Sequence, residues 1–238
     1  MITVYWSCNS FDSPSALRVE EPISLQNNFF ERYPTDQQDG YSRCPSIRNF
    51  FINLYGLKSV YDYRIDFDLN NNNSIRSNDY TSEFLHRLLV RNYESGLFSW
   101  PTDYVFFTDA DSLEMEITPA FLENNDFANK TTLISGTFDI GKWYRPVDCA
   151  FHLKERKSSV QFLMKDFLMY MRFRTDEKIT FKYFTFSQEL HDFTRQLMTI
   201  KDHKYPSKDS SVLSYYYNLF AKRNFKKKIL KMIKQNLT

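Results

Sequence analysis

From Tyr61 to Leu69 apolar and polar residues alternate strictly. Tyr61, Tyr63, Ile65, Phe67 and Leu69 take one face, and Arg64, Asp66 and Asp68 take the other. A period of two is that of a pleated strand with one buried side. The same period returns in "LEMEIT", where Leu113, Met115 and Ile117 point inward, Glu114 and Glu116 outward, and Pro119 stops the run. Just before it, "YVFFT" (residues 104–108) is continuously apolar. The stretches "MITVYWS", "TTLISGTFDI", "VDCAFHLK", "SVQFLM", "FLMYMRFRT" and "KITFKYFTFS" add strands at short spacing, joined by turn residues. Such spacing predicts an antiparallel sandwich or barrel.

Helical spacing is confined to three places. "SNDYTSEFLHRLLV" predicts a short helix with Phe84, Leu85, Leu88 and Leu89 on one side after an Asn/Asp/Ser start. Two further helices close the chain, over roughly 186–201 and 208–235. In the last, Ser210 or Ser211 can cap, Val212, Tyr216, Leu219 and Phe220 share a face, and Ile229, Ile233 and Leu237 continue at intervals of four. Residues 8–45, rich in Ser, Asn, Asp and Pro, read mostly as loop wrapping a surface, and Asn70–Asn73 as a hairpin end. The pattern predicts a mainly β (α+β) protein. A β-rich sandwich domain spans 1–207, and a basic helix over 208–238 packs on it or extends from it.

Composition sharpens this picture in two respects. Aromatic residues reach 18% of the 238, with 23 Phe and 16 Tyr, which fit a pleated, half-buried surface. The five glycines form neither GxGxxG nor GxxxxGK[ST], which argues against a Rossmann or P-loop nucleotide site. No run of 18 apolar residues occurs, so no spanning helix is expected. "MITVYWSCNS" lacks a basic start and an apolar stretch, so no signal peptide is read. Cys8, Cys44 and Cys149, odd in number and without CxxC, suit free thiols in a reducing cytoplasm.

Charge is distributed unevenly. Seven of the 31 basic residues (Lys222, Arg223, Lys226, Lys227, Lys228, Lys231 and Lys234) lie after residue 220, with no acid among them. The remaining 24 face all 29 acids, so residues 1–220 carry −5. The tail can meet an acidic protein surface or nucleic-acid phosphates, or dock with its lysines solvated. An acidic protein is the better match, because the body lacks the wider basic patch of a nucleic-acid binder.

Three stretches could carry chemistry. Asp109-Ala110-Asp111 after an apolar run has the form of the DxD pair that holds Mn or Mg in sugar transferases, since hard cations take oxygen ligands. Such domains need alternating βαβ units, and the region before Asp109 offers one convincing helix at best, so a turn between strands is the better reading. "GTFDIGKWYRPVDCAFHLK" (136–154) contains Trp143, Tyr144 and Arg145, able to form a ligand platform or, more simply, a core anchor with a salt bridge. Lys226, Lys227 and Lys228 are the binding candidates of the tail. His86, His152, His191 and His203 form neither HxH nor HxD, and no GxSxG occurs, so no catalytic residue, cofactor or metal is assigned.

The order "SRCPSIRNFFINLYGLKSVYDYRIDFD", "FFTDADSLEMEITPAFLE", "GTFDIGKWYRPVDCAFHLK", "FLMYMRFRTDEKITFKYF" resembles uncharacterised proteins encoded by large tailed phages of marine bacteria. More distantly it resembles a bacterial family of unknown function with a CP-rich early motif and a cupin-like β-sandwich. The resemblance covers roughly residues 1–190. It implies phage origin and a jelly-roll-type core, and the first expectation for function is a non-enzymatic accessory protein of the host cytoplasm or the virion. Such a protein would bind another phage or host protein, or itself, with no membrane attachment. A metal-dependent glycosyltransferase using Asp109 and Asp111 is the alternative.

Overall fold

A computed structural model describes residues 1–8, 20–32, 44–59, 62–70, 74–78, 80–92, 94–202 and 224–238. Within these residues the strands fall into four sheets. The first places β1 (Ile2–Cys8) between β8 (Tyr104–Thr108) and β15 (Ile179–Tyr183). The second has five strands: β11 (Gly136–Asp139), β9 (Glu114–Pro119), β14 (Phe167–Phe173), β3 (Leu54–Lys58) and β2 (Ile23–Ser24). The third runs β10 (Thr131–Leu133), β12 (Asp148–Leu153), β7 (Leu97–Pro101) and β6 (Val90–Asn92). The fourth is β13 (Lys157–Phe162), β4 (Tyr63–Asp68) and β5 (Ser74–Arg76). Helices α1 (Leu25–Arg32), α2 (Pro45–Phe50), α3 (Ser82–Leu89), α4 (Asp126–Lys130), α5 (Gln188–Asp202) and α6 (Phe225–Gln235) complete the described chain. The fold is mainly β, an open, sandwich-like α+β arrangement.

Side-chain alternation sorts the residues into two main cores. Val4 and Trp6 of β1, with Tyr104 and Phe106 of β8, face a large cluster shared with Ile65, Phe67, Met115 and Phe151. Tyr5, Val105 and Phe107 face the other way, into a second cluster with Phe184, Leu190, Ile229, Met232 and Ile233. The sheet is thus covered on both sides, which is why "YVFFT" carries no polar alternation. α6 closes this second core. Each fully buried Ile or Met contributes about 1.5–3 kcal/mol of transfer free energy, so its apolar stripe anchors it firmly.

Several expectations need correction. β1 and β15 run parallel (Ile2 opposite Ile179, Trp6 opposite Tyr183), so the sheets are not wholly antiparallel. "TTLISGTFDI" is two strands in different sheets, β10 and β11, broken at Ile134-Ser135. The segment read mostly as loop contains α1, where Leu25 is buried against Phe51 and Leu54. A helix does not run unbroken from 208 to 235. Asn224 has a left-handed backbone (φ 53°), which a helix cannot contain, and α6 starts after it. The proposed caps Ser210 and Ser211, the face from Val212 to Phe220, His203, and Asn71–Asn73 lie outside the described residues.

Candidate functional site

The acidic turn, the WYR loop and the basic tail, singled out separately along the chain, meet in one place. β8 delivers the chain into residues 109–113 and β9 carries it away, but the two strands belong to different sheets. The Asp109-Ala110-Asp111 turn is therefore a crossing between sheets and not a hairpin between paired strands. Thr108 starts it: Oγ1 donates to Thr3 O at 2.8 Å and accepts from Ala110 N at 3.2 Å. Gly141 lies against it so closely that a Cβ there would stand 2.9 Å from Ala110 O and 3.0 Å from Asp111 O. Only glycine fits this backbone contact.

Asp139 holds the turn from below. Its carboxylate accepts from Ser112 Oγ at 2.8 Å, Leu113 N at 3.2 Å, Gly141 N at 3.0 Å and Lys142 Nζ at 2.7 Å. Burial opposes the charge, but these donors outweigh it and hold the carboxyl below the usual aspartate range.

α6 grips the turn from above. Lys226 Nζ donates to the Ala110 carbonyl, and Lys234 Nζ lies 3.4 Å from Asp109 Oδ2. Burial lowers the Lys226 pKa, while Asp111, Asp139 and Asp109 favour its charge. Tyr5 Oη donates to the same Asp109 oxygen at 3.1 Å, and burial followed by that carboxylate pushes the phenol up to about 12. Part of the tail's positive charge therefore meets the protein's own acids. Lys227, Lys228 and Lys231 remain exposed, Lys228 with its Nζ 5.0 Å over the Phe193 ring.

Trp143, Tyr144 and Arg145 are turned into the protein. They are 6%, 0% and 7% exposed. Trp143 packs 5.2 Å from Phe138, and the Arg145 guanidinium lies 4.4 Å over its ring. Tyr144 meets Phe107 edge-on at 5.3 Å within the core that α6 closes. Arg145 reaches Asp148 at 3.7 Å. This is the arrangement of a core anchor with a salt bridge.

Beside it stands Asp103, a residue that neither periodicity nor motif marks. It occupies the link between β7 and β8 with φ 60°, a conformation rare outside glycine. Thr102 Oγ1 donates to Val147 O at 2.6 Å and Val147 N donates to Tyr104 O at 2.8 Å, fixing the chain on either side. Burial, then the Asp148 charge, raise its pKa to about 6.

Elsewhere, His152 Nδ1 lies 3.0 Å from Ser95 O and His191 is buried. The cysteines are free thiols, Cys8 and Cys149 buried. Among the described residues no group of three or more His, Cys, Asp or Glu is placed to hold a metal ion. No helix among them is long and apolar enough to cross a membrane. The assembled contacts fasten a lysine-rich helix to the sandwich and leave Lys227, Lys228 and Lys231 exposed. Compared with known proteins, the chain matches no family model and no curated protein.

Proposed function

We propose that the protein is a non-enzymatic, phage-encoded accessory protein that binds an acidic protein surface through the outer face of α6. One observation supports this above others. α6 is seated by Ile229, Met232 and Ile233, yet Lys227, Lys228 and Lys231 stand exposed on a helix without an acid. A docked helix presents its charges pre-organised, which lowers the ordering cost of association. The same helix already binds an acidic surface inside the molecule, through Lys226 and Lys234. The sugar-transferase alternative draws no support from a turn whose Asp109 already takes Tyr5 and Lys234.

The test uses the whole chain and a Lys227→Glu/Lys231→Glu variant that leaves the seating residues alone. Polyglutamate and duplex DNA are titrated at low and high salt. Salt-sensitive polyglutamate binding, lost in the variant, is the expected result. DNA binding that is tighter, with a steep salt slope, would move the assignment to nucleic acid. Equal behaviour of variant and parent would remove α6 as the binding surface. Quantifying the protein in purified phage particles tests the virion role.

A further inference from the structure

We propose a second binding site, for a small polyhydroxylated acid of the uronic type, on the outward face of β13, β4 and β5. The inward residues of this sheet, among them Ile65, Phe67, Ile75, Val160 and Phe162, belong to the large core. Alternation turns Arg64, Asp66, Asp68, Arg76, Lys157 and Ser159 to the other side, where they line a hollow of about 630 Å³. That volume falls within the range of about 300–1,000 Å³ typical of small-molecule sites.

Strand register sets the chemistry of the hollow. Lys157 stands opposite Asp68, and Asp66 opposite Arg76. Arg64 Nε donates to Ser159 Oγ at 2.9 Å and lies 3.4 Å from Asp66 Oδ1. Lys157 Nζ lies 3.8 Å from Asp68. Two of the three cations are thereby paired. Arg76 is exposed and, among the described residues, has no ion pair, although Asp66 sits directly across the strand.

The ligand must answer both charges. A guanidinium offers a planar fork of donors that a carboxylate meets through two parallel hydrogen bonds. Asp66 and Asp68 only accept, so the remaining contacts call for hydroxyl donors. A plain polyanion satisfies Arg76 but gives little donor hydrogen to the carboxylate lone pairs that remain beyond the Arg64 and Lys157 contacts. A neutral sugar satisfies the carboxylates but leaves the guanidinium to water. A carboxylate flanked by hydroxyls meets all of them at once.

The probe is glucuronate, titrated into the full chain at constant ionic strength with backbone amide shifts as readout. Glucose and inorganic phosphate are run in parallel. Glucuronate should move resonances of β4, β5 and β13 and bind at least about tenfold more tightly than either comparison ligand. Arg76→Gln should bring glucuronate down to the level of glucose, and Asp66→Asn should erase its advantage over phosphate. Both positions are exposed, and matching melting curves would establish that the variants fold. Phosphate binding as tightly as glucuronate, or Arg76→Gln without effect, would overturn the proposal.

Discussion

Replacing Asp103 by Asn separates a charge from a shape. Asn is nearly isosteric and tolerates the left-handed backbone that Asp103 adopts at φ 60°, so the turn into β8 is preserved. What disappears is a carboxylate whose pKa is raised to about 6 by burial and by Asp148. A folded-state pKa above the unfolded value means that the native protein binds this proton more tightly. Stability from this group therefore falls as pH rises from about 3.9 through 6, and stays lower above that range. A displacement from about 3.9 to about 6 is worth about 3 kcal/mol at full burial. Partial exposure to solvent reduces this to about 1–2 kcal/mol. Asp103→Asn should accordingly gain about 1–2 kcal/mol near pH 8 and nothing near pH 4, where the native aspartate is protonated. Urea unfolding across that range, with m-values compared, measures the difference directly. A variant that is equally stable at both ends, or less stable near pH 8, would refute a buried, disfavoured charge at this position.

Other substitutions probe the neighbouring contacts. Asp139→Asn removes a carboxylate held below its usual range, so the loss of stability should be greatest at neutral pH and vanish as pH falls through the native titration, the opposite slope to Asp103. Trp143→Ala opens a cavity beneath Arg145 and should cost about 3–5 kcal/mol in chemical denaturation; an unchanged midpoint would contradict its burial. Gly141→Ala forces a methyl against two backbone carbonyls and should cost about 1–3 kcal/mol, read as a lowered melting temperature. Asp109→Asn with Asp111→Asn should leave the fold intact and remove no manganese binding; micromolar manganese or nucleotide-sugar affinity that is lost in the double variant would restore the transferase reading.

The strand pattern was legible wherever one face is wet and the other dry. β4 and β9 show it without ambiguity, because their outward residues are charged. β8 was recognisable only as an apolar run, since α6 covers a face that would otherwise be polar. β3, β6 and β7 carry no such mark: Leu54–Lys58 holds Gly56 against the Phe167 ring, and Leu97–Pro101 mixes Ser99 with Trp100 on a strand paired on one side with β12, about 50 residues on. The parallel pairing of β1 with β15 leaves no local trace, because it joins residues 2–6 to residues 179–183. In the candidate site, the acids, the glycine and the lysines were each visible. Their convergence was not, for nothing in residues 109–111 reports that Lys226 and Lys234 will return to them. Asp103 was invisible altogether, since its pKa depends on Asp148 and on burial supplied by other strands.

The placement of β1 between β8 and β15 governs how the chain must be made. Ile2 cannot find Ile179 until the residues between them have been translated, a delay on the order of 10–40 s at about 5–20 residues per second. Tyr183 O accepts from Thr238 N, and Phe184 bridges Leu237, so among the described residues the edge beyond β15 is met by residues 237–238. β1 is thus made long before the strand that covers its parallel edge. Until then "ITVYWSC", aromatic and strand-prone, has an open hydrogen-bonding edge of the kind that nucleates aggregation. The topology therefore makes folding a race between synthesis of residues 179–238 and association of β1 strands from neighbouring nascent chains. Yield of soluble protein should accordingly depend on synthesis rate and chaperone supply more than on the stability of the finished molecule.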